Sequence, residues 1–423
     1  MCRGKFAVVT GKPVIMKPCF VPADILLPDF SHTDGERWAV VACDQFTSQP
    51  EYWEAVRRFV GDAPSTLDLI LPEAYLSRQD ELLPEISRHM TEYLCGVLHE
   101  HPQTYIYLER TQSDGRVRRG LVGAVDLECY DWHRGALTPV RATEGTVPER
   151  IPPRVRIRES ASIELPHIML LIDDPEKSVI EPLADERGVL RPAYDFDLMA
   201  GGGHVRGWFV DGSRADELTA AVSALSGEGG LTIAVGDGNH SLATAKTVYE
   251  SLKARIGAEE AAAHPARYAL AELVNIHDDA LDFEPIYRTV TGIEPRALIA
   301  GLDAYLRSLE GGEAPQTIRY CYDDVRGELV CEHPVSSLTV GTVQSFLDGL
   351  AAAHPECEVD YIHGEDNVAA LAKGGCVGLL FDGMAKSGLF RAVELDGALP
   401  RKTFSMGHAE DKRYYIEARR ILK

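Results

Sequence analysis

Leu231-Thr-Ile-Ala-Val-Gly236-Asp-Gly-Asn-His240-Ser-Leu-Ala-Thr-Ala-Lys246 is the stretch whose reading decides the fold. Leu231 to Val235 is a short apolar, β-branched run, the composition of a buried strand. Gly236 to His240 form a tight polar turn. From Leu242 the period changes, and Leu242, Ala245, Tyr249, Leu252 and Ile256 fall on one helical face. The stretch therefore reads strand, glycine turn, helix. Asn239 or Ser241 is placed to cap the helix by accepting bonds from its first free N–H groups. Those N–H groups, with the positive end of the helix dipole, make an anion site. Gly-Asp-Gly-Asn is also an ordinary turn, and His240 read alone is a structural histidine. An acid, an amide and an imidazole together at one helix start nevertheless exceed what turning requires.

Outward from this centre, Trp38-Ala-Val-Val-Ala-Cys-Asp44 reads as a buried strand. Asp44 at its carboxyl end is placed for a site in an α/β core, and equally to cap the following helix through an Asx turn. Between Val140 and Arg158 the chain gathers Arg141, Arg150, Arg154, Arg156 and Arg158. Positive charge on an acidic background suits an anionic small molecule. A carboxylate beside phosphate-binding Arg residues, Glu144, is placed to act as general base toward a hydroxyl. The competing reading is a solvated, salt-bridged segment. Gly201-Gly-Gly-His204 lacks the Gly-Lys-Ser/Thr of a phosphate loop, so a hairpin loop is expected, with His204 its one residue of interest. Ser113-Asp-Gly-Arg116 between two apolar runs signals another hairpin.

Gly236-Asp-Gly-Asn-His-Ser241, followed by Ala243 and Ala245, resembles the Asp-Gly-His-His-Arg box of the ParB/sulfiredoxin superfamily. The chain as a whole is similar to the Domain of Unknown Function 1015 family, whose proteins carry that box. Asp44 matches the family's Pro-Tyr-Asp-Val loop. Thr143-Glu-Gly-Thr146 lines up with its His-Glu-x-Thr segment at Glu144 and Thr146. In its Pro-x-His-Arg step Tyr287 replaces the His and Arg288 remains. Pro400-Arg-Lys402-Thr-Phe-Ser405 resembles its Pro-Pro-Lys-Ser-Thr. Two departures stand in the box: the second His position holds Asn239 or His240, depending on register, and the Arg is Ser241. An Arg fork grips phosphate through two bonds, and Ser cannot.

Charge and composition narrow the function. The 423 residues suffice for two or three domains. Forty-three basic against 65 acidic residues give −22, which argues against a nucleic-acid partner. Nine scattered cysteines without a Cys-x-x-Cys pair fit reduced thiols better than disulfides or zinc. Arg3, Lys5 and Lys12 precede no apolar run long enough for a signal peptide, and no stretch of about 18 apolar residues suits a membrane span. A cytoplasmic protein with no membrane partner is expected.

The resemblance implies an α+β fold: a ParB/sulfiredoxin-like core with a mixed sheet over residues 1–260, and an α/β region over 261–423 that folds back on the site through Lys402. It further implies phosphoryl transfer on a small hydroxylated metabolite, free serine or phosphoserine, with ADP or ATP and Mg²⁺. Glu144 would accept the hydroxyl proton, His240 and Asn239 would contact the phosphoryl group, and Asp237 would order the turn or hold Mg²⁺. Gly238, Asn239, Ser241, Thr146, Arg150, Arg154, Lys402 and Ser405 would hold the nucleotide or phosphate, with Asp44, His204 and Arg288 as further candidates. The alternative is a non-enzymatic nucleotide or metabolite sensor, which the loss of the box Arg favours.

Overall fold

The computed structural model describes residues 17–133, 135–227, 229–407 and 411–422; Arg3, Lys5 and Lys12 lie outside them. Strand Ile233–Asp237 leads through Gly238 into helix Asn239–Ile256. Leu242, Ala245 and Tyr249 are buried, as their spacing predicts. The cap differs from expectation. Gly238, at φ +78°, is the residue before the helix, and among the described residues no side chain bonds the first-turn N–H groups. Asn239 already belongs to the helix and its side chain is buried, while the Ser241 hydroxyl turns to His167. A Cβ at Gly238 would combine left-handed backbone with a 3.0 Å approach to Ile168 Cα, so the turn demands glycine there.

Strand Ile233–Asp237 sits within an 11-stranded mixed sheet. It runs parallel to Val140–Ala142 on one side and antiparallel to Met169–Ile172 on the other. Beyond these come Tyr268–Asn275 and the long hairpin Leu98–Thr111/Val117–Asp126, turned at Ser113–Arg116 as predicted. His204–Val210 and Arg191–Asp197 close the far edge. Central strands such as Met169–Ile172 are buried on both faces, hence their unbroken apolar sequence. Helices Pro50–Val60 and Gln79–Gly96 cover one face with Trp53, Val56 and Met90. Helices Gly212–Ala224 and Asn239–Ile256 cover the other with Leu218, Leu242 and Tyr249. Full burial of side chains this size stabilises by roughly 1.5–3 kcal/mol each.

A second, antiparallel sheet of six strands follows: Phe283–Thr291, Gln316–Tyr322, Val325–Cys331, Glu358–His363, Val377–Phe381 and Phe404–Met406. Helices Pro295–Arg307 and Thr339–Ala353 pack on it. The last described segment then returns to the first sheet's side. Tyr414–Tyr415 pairs with Val40–Val41, Arg419–Arg420 pairs with Ile163–Glu164, and Trp38 Nε1 donates to Ile416 O at 2.9 Å. This return carries Lys412 and Tyr415 to the central turn. The fold is mixed α+β, and among the described residues no helix is long and apolar enough to cross a membrane.

Candidate functional site

Two parallel strands end side by side at the turn. Val235 is in register with Ala142, so two residues further on Asp237 and Glu144 stand at neighbouring carboxyl ends. Thr143 Oγ1, donating to Val235 O at 2.5 Å, locks this alignment. A third segment lies along Glu144. Leu399 N donates to Thr143 O at 2.7 Å, and Lys402 N donates to Glu144 Oε1 at 3.1 Å. Three stretches far apart in sequence thus converge where strand ends expose polar side chains.

Electrostatics drive the two carboxyl groups in opposite directions. Burial pushes Glu144 up to about 7, assisted by the Asp237 charge and opposed by Lys402. Burial acts on Asp237 in the same sense, but Lys412 Nζ, 3.0 Å from Oδ2, and the Gly238 N–H, 2.8 Å from Oδ1, outweigh it and hold the group below the ordinary carboxylate range. One acid stays ionised while the other is poised near neutrality.

His240 joins the box to the Arg segment. Its Nε2 accepts the Val147 N–H at 3.2 Å, which assigns the ring proton to Nδ1. Burial, then the charges of Arg154 and Arg150, push it down to about 4, with Asp44 opposing. The imidazole is therefore neutral near pH 7. Asp44 belongs to this group, its carboxylate accepting only from Gln45 Nε2 among the described residues, at 3.0 Å. It does not cap the next helix, whose N-cap is Gln49.

The remaining predicted residues divide. Arg150 is exposed and carries no ion pair among the described residues. Arg154 is paired with Glu73, and its Nη1 donates to Arg150 O at 2.8 Å. Thr146 Oγ1 and Asn239 Oδ1 are buried without hydrogen-bond partners among the described residues, each an unmet polar group that calls for a ligand or water. Beside Thr146 a cavity of about 730 Å³ opens toward the second sheet, lined by Trp132, Gly145, Val147, Gln344 and Arg401. That size lies within the roughly 300–1,000 Å³ of small-molecule sites.

Arg288 is a structural pin, not a ligand group. It is fully buried, it stacks on Tyr361 at 4.5 Å, and it donates to Gln344 Oε1, Lys402 O and Arg401 O at 2.9, 3.0 and 3.2 Å. It thereby holds Lys402, whose left-handed φ of +57° costs a non-glycine residue about 1–2 kcal/mol, in the place where its N–H meets Glu144. Ser405 closes a local turn, its Oγ donating to Gly407 O at 3.3 Å. His204 is not brought to the site. It sits five strands away in the sheet order, roughly 24 Å at ordinary strand spacing, between Asp195 and Asp197 at 2.7 and 2.6 Å. The expectation of Mg²⁺ on Asp237 does not fit the donor set. Both oxygens are engaged, one of them by an ammonium, and among the described residues no trio of His, Cys, Asp or Glu is arranged for a metal. Lys412, His167 and Tyr415 belong to the same neighbourhood and were not anticipated. No motif marks them, and only the chain's return brings two of them in.

The sequence pattern of the family described as "Protein of unknown function (DUF1015)" matches residues 29–350. No curated protein matches the chain. Among solved structures, the chain is similar to a conserved hypothetical protein from Pyrococcus furiosus, at 12% identity and a TM-score of 0.34 over 68% of this chain and 90% of that one. It is also similar to a variant of a free serine kinase in complex with ADP, at 12% and 0.38 over 71% and 92%. SbnI with a C-terminal truncation, from Staphylococcus aureus, matches at 11% and 0.35 over 68% and 82%.

Proposed function

As this chain belongs to the DUF1015 family of proteins of unknown function, we propose from its site that it transfers a phosphoryl group between a nucleotide and a small hydroxylated metabolite. The observation that carries the reading is the pair of neighbouring carboxyl groups at the start of an uncapped helix, Glu144 near 7 and Asp237 held ionised by Lys412. Helix-start N–H groups attract phosphate, and a base poised near the working pH is what proton removal from a hydroxyl requires.

In this reading the acceptor oxygen bonds phosphorus, the bond from phosphorus to the donor oxygen breaks, and the hydroxyl proton passes to Glu144. Neutral His240 donates from Nδ1, and Arg150, Lys402 and Lys412 offset the phosphate charge. Positioning and charge stabilisation of this kind are the usual means of phosphoryl transfer. The nucleoside occupies the cavity beside Trp132, with Thr146 offering its unmet oxygen. The resemblance of the box to the ParB/sulfiredoxin superfamily supports a nucleotide, ADP or ATP, and points to free serine or phosphoserine as the metabolite. Mg²⁺ enters as the counter-ion of the nucleotide, not on Asp237.

The test is ³¹P NMR of the protein with ADP or ATP and L-serine, and with phosphoserine in the reverse direction. Turnover should fall about 10²–10³-fold in Glu144→Gln and in His240→Ala, the loss expected of one preorganised polar group. Turnover unchanged by either substitution overturns the roles. A second reading, a nucleotide sensor, is favoured by Ser241 in the Arg position; it predicts a thermal shift with nucleotide and no consumption in any combination.

A further inference from the structure

Ser241 leads away from the phosphate turn into a different environment. Successive helical residues point about 100° apart, so while His240 meets Val147, the Ser241 hydroxyl meets His167, with Oγ 2.7 Å from Nε2. His167 Nδ1 in turn lies 2.8 Å from Tyr415 Oη. Tyr415 Oη accepts the Cys43 N–H at 3.2 Å. In the tautomer with the ring hydrogen on Nδ1, the phenol oxygen accepts it. That tautomer leaves Nε2 as a bare acceptor aimed at the serine hydroxyl. A nucleophile within reach of a base, and the base oriented by a third group, is the general signature of an activated serine.

These groups open on a separate pocket of about 160 Å³, close to the roughly 150 Å³ that accommodates a benzene ring in an apolar protein cavity. Its walls are largely aliphatic, among them Leu69, Leu76, Met90, Ile157 and Ile168. The charged residues on it cancel in pairs, Arg154 with Glu73 and Arg158 with Glu164. Such a lining disfavours an anion and suits a small apolar group carrying one reactive polar bond. The first-turn N–H groups of the helix, which no side chain caps among the described residues, lie at the same strand–turn–helix junction as Ser241.

We propose that Ser241, His167 and Tyr415 form a second, nucleophilic centre that hydrolyses short-chain carboxylic esters, the acyl chain lying in the aliphatic pocket. Ser241 Oγ bonds the carbonyl carbon and passes its proton to His167 Nε2. The oxyanion faces helix-start N–H groups. The ester C–O bond then breaks, and His167 returns the proton to the departing alcohol. Water, deprotonated by the same nitrogen, releases the acid and restores Ser241, so the cycle needs no oxidant and no further reactant. Tyr415 acts through His167 as a positioning residue.

The test uses the full chain without nucleotide. A fluorophosphonate probe should add its mass to the peptide carrying Ser241, and p-nitrophenyl butyrate should be hydrolysed. Ser241→Ala should abolish both. His167→Gln, which leaves the helix untouched and serves if the first variant melts early, should slow both by about 10²-fold or more, the usual share of a general base. Tyr415→Phe should move the pH profile of hydrolysis while leaving the adduct on Ser241. Absence of an adduct on Ser241, hydrolysis unchanged in Ser241→Ala and His167→Gln, or p-nitrophenyl palmitate turned over as fast as the butyrate would each overturn the proposal.

Discussion

Glu144→Gln separates function from stability with a definite sign. A carboxyl group held at about 7 instead of the ordinary 4.5 costs the folded state about 3 kcal/mol when ionised, at 1.36 kcal/mol for each pH unit of displacement. Between pH 4.5 and 7 the folded protein binds this proton more tightly than the unfolded chain, so stability falls as pH rises. The favourable contribution is whole below 4.5 and gone above 7. Glutamine has no proton to lose, and its Oε1 still accepts the Lys402 N–H. Urea unfolding should therefore find variant and parent about equal at pH 4.5 and the variant about 3 kcal/mol more stable at pH 8. Turnover in the variant should fall about 10²–10³-fold. A gap that stays flat from pH 4.5 to 8, or that opens in the parent's favour, refutes the argument that Glu144 is desolvated and poised as a base.

Three further outcomes follow from the same geometry. The His240 ring should titrate near pH 4 by NMR, because burial and two arginines oppose its charge; a midpoint at 6.5 would place it in solvent. Lys412→Met leaves the half-buried Asp237 carboxylate without its cation and should cost about 1–2 kcal/mol in urea unfolding, while adding Asp237→Asn should recover most of that loss; two additive losses would mean the pair is not coupled. Arg288→Met strips the Arg401 and Lys402 carbonyls of a buried charged donor and should cost roughly 3 kcal/mol, with a loss under about 1 showing that the turn holds itself.

The strand, turn and helix at Ile233–Ile256 were legible because period and composition change sharply over a few residues. The hairpin at Ser113–Arg116 announced itself for the same reason. Glu144 was legible as a carboxylate inside an arginine cluster and through its match to a family segment, but its nearness to Asp237 rests on strand register, which no local pattern encodes. The cluster itself misled in part. Arg154 and Arg156 are taken by Glu73 and Asp80, partners written far away in the chain, and Arg158 by Glu164, six residues on. His204 looked reactive beside three glycines, but a hairpin put it on the sheet's far edge. The expected side-chain cap failed because Asn239 is drawn inward, leaving the N–H groups free.

The loss of the box Arg can then be weighed against what the fold supplies instead. Ser241 cannot fork a phosphate, and its hydroxyl is committed to His167. Positive charge nevertheless reaches the turn from three other places: Arg150 ahead of it, Lys402 from the second sheet's closing segment, and Lys412 from the returning tail. Each depends on a different long-range contact: the Val147–His240 bond, the Arg288 pin and the pairing of Tyr414–Tyr415 with Val40–Val41. In a chain of net charge −22, these cations must be gathered by tertiary structure, because no short segment of the box provides them. The proposed anion site is therefore a property of the assembled chain, and in that reading its affinity is tied to the stability of contacts that lie well away from the turn.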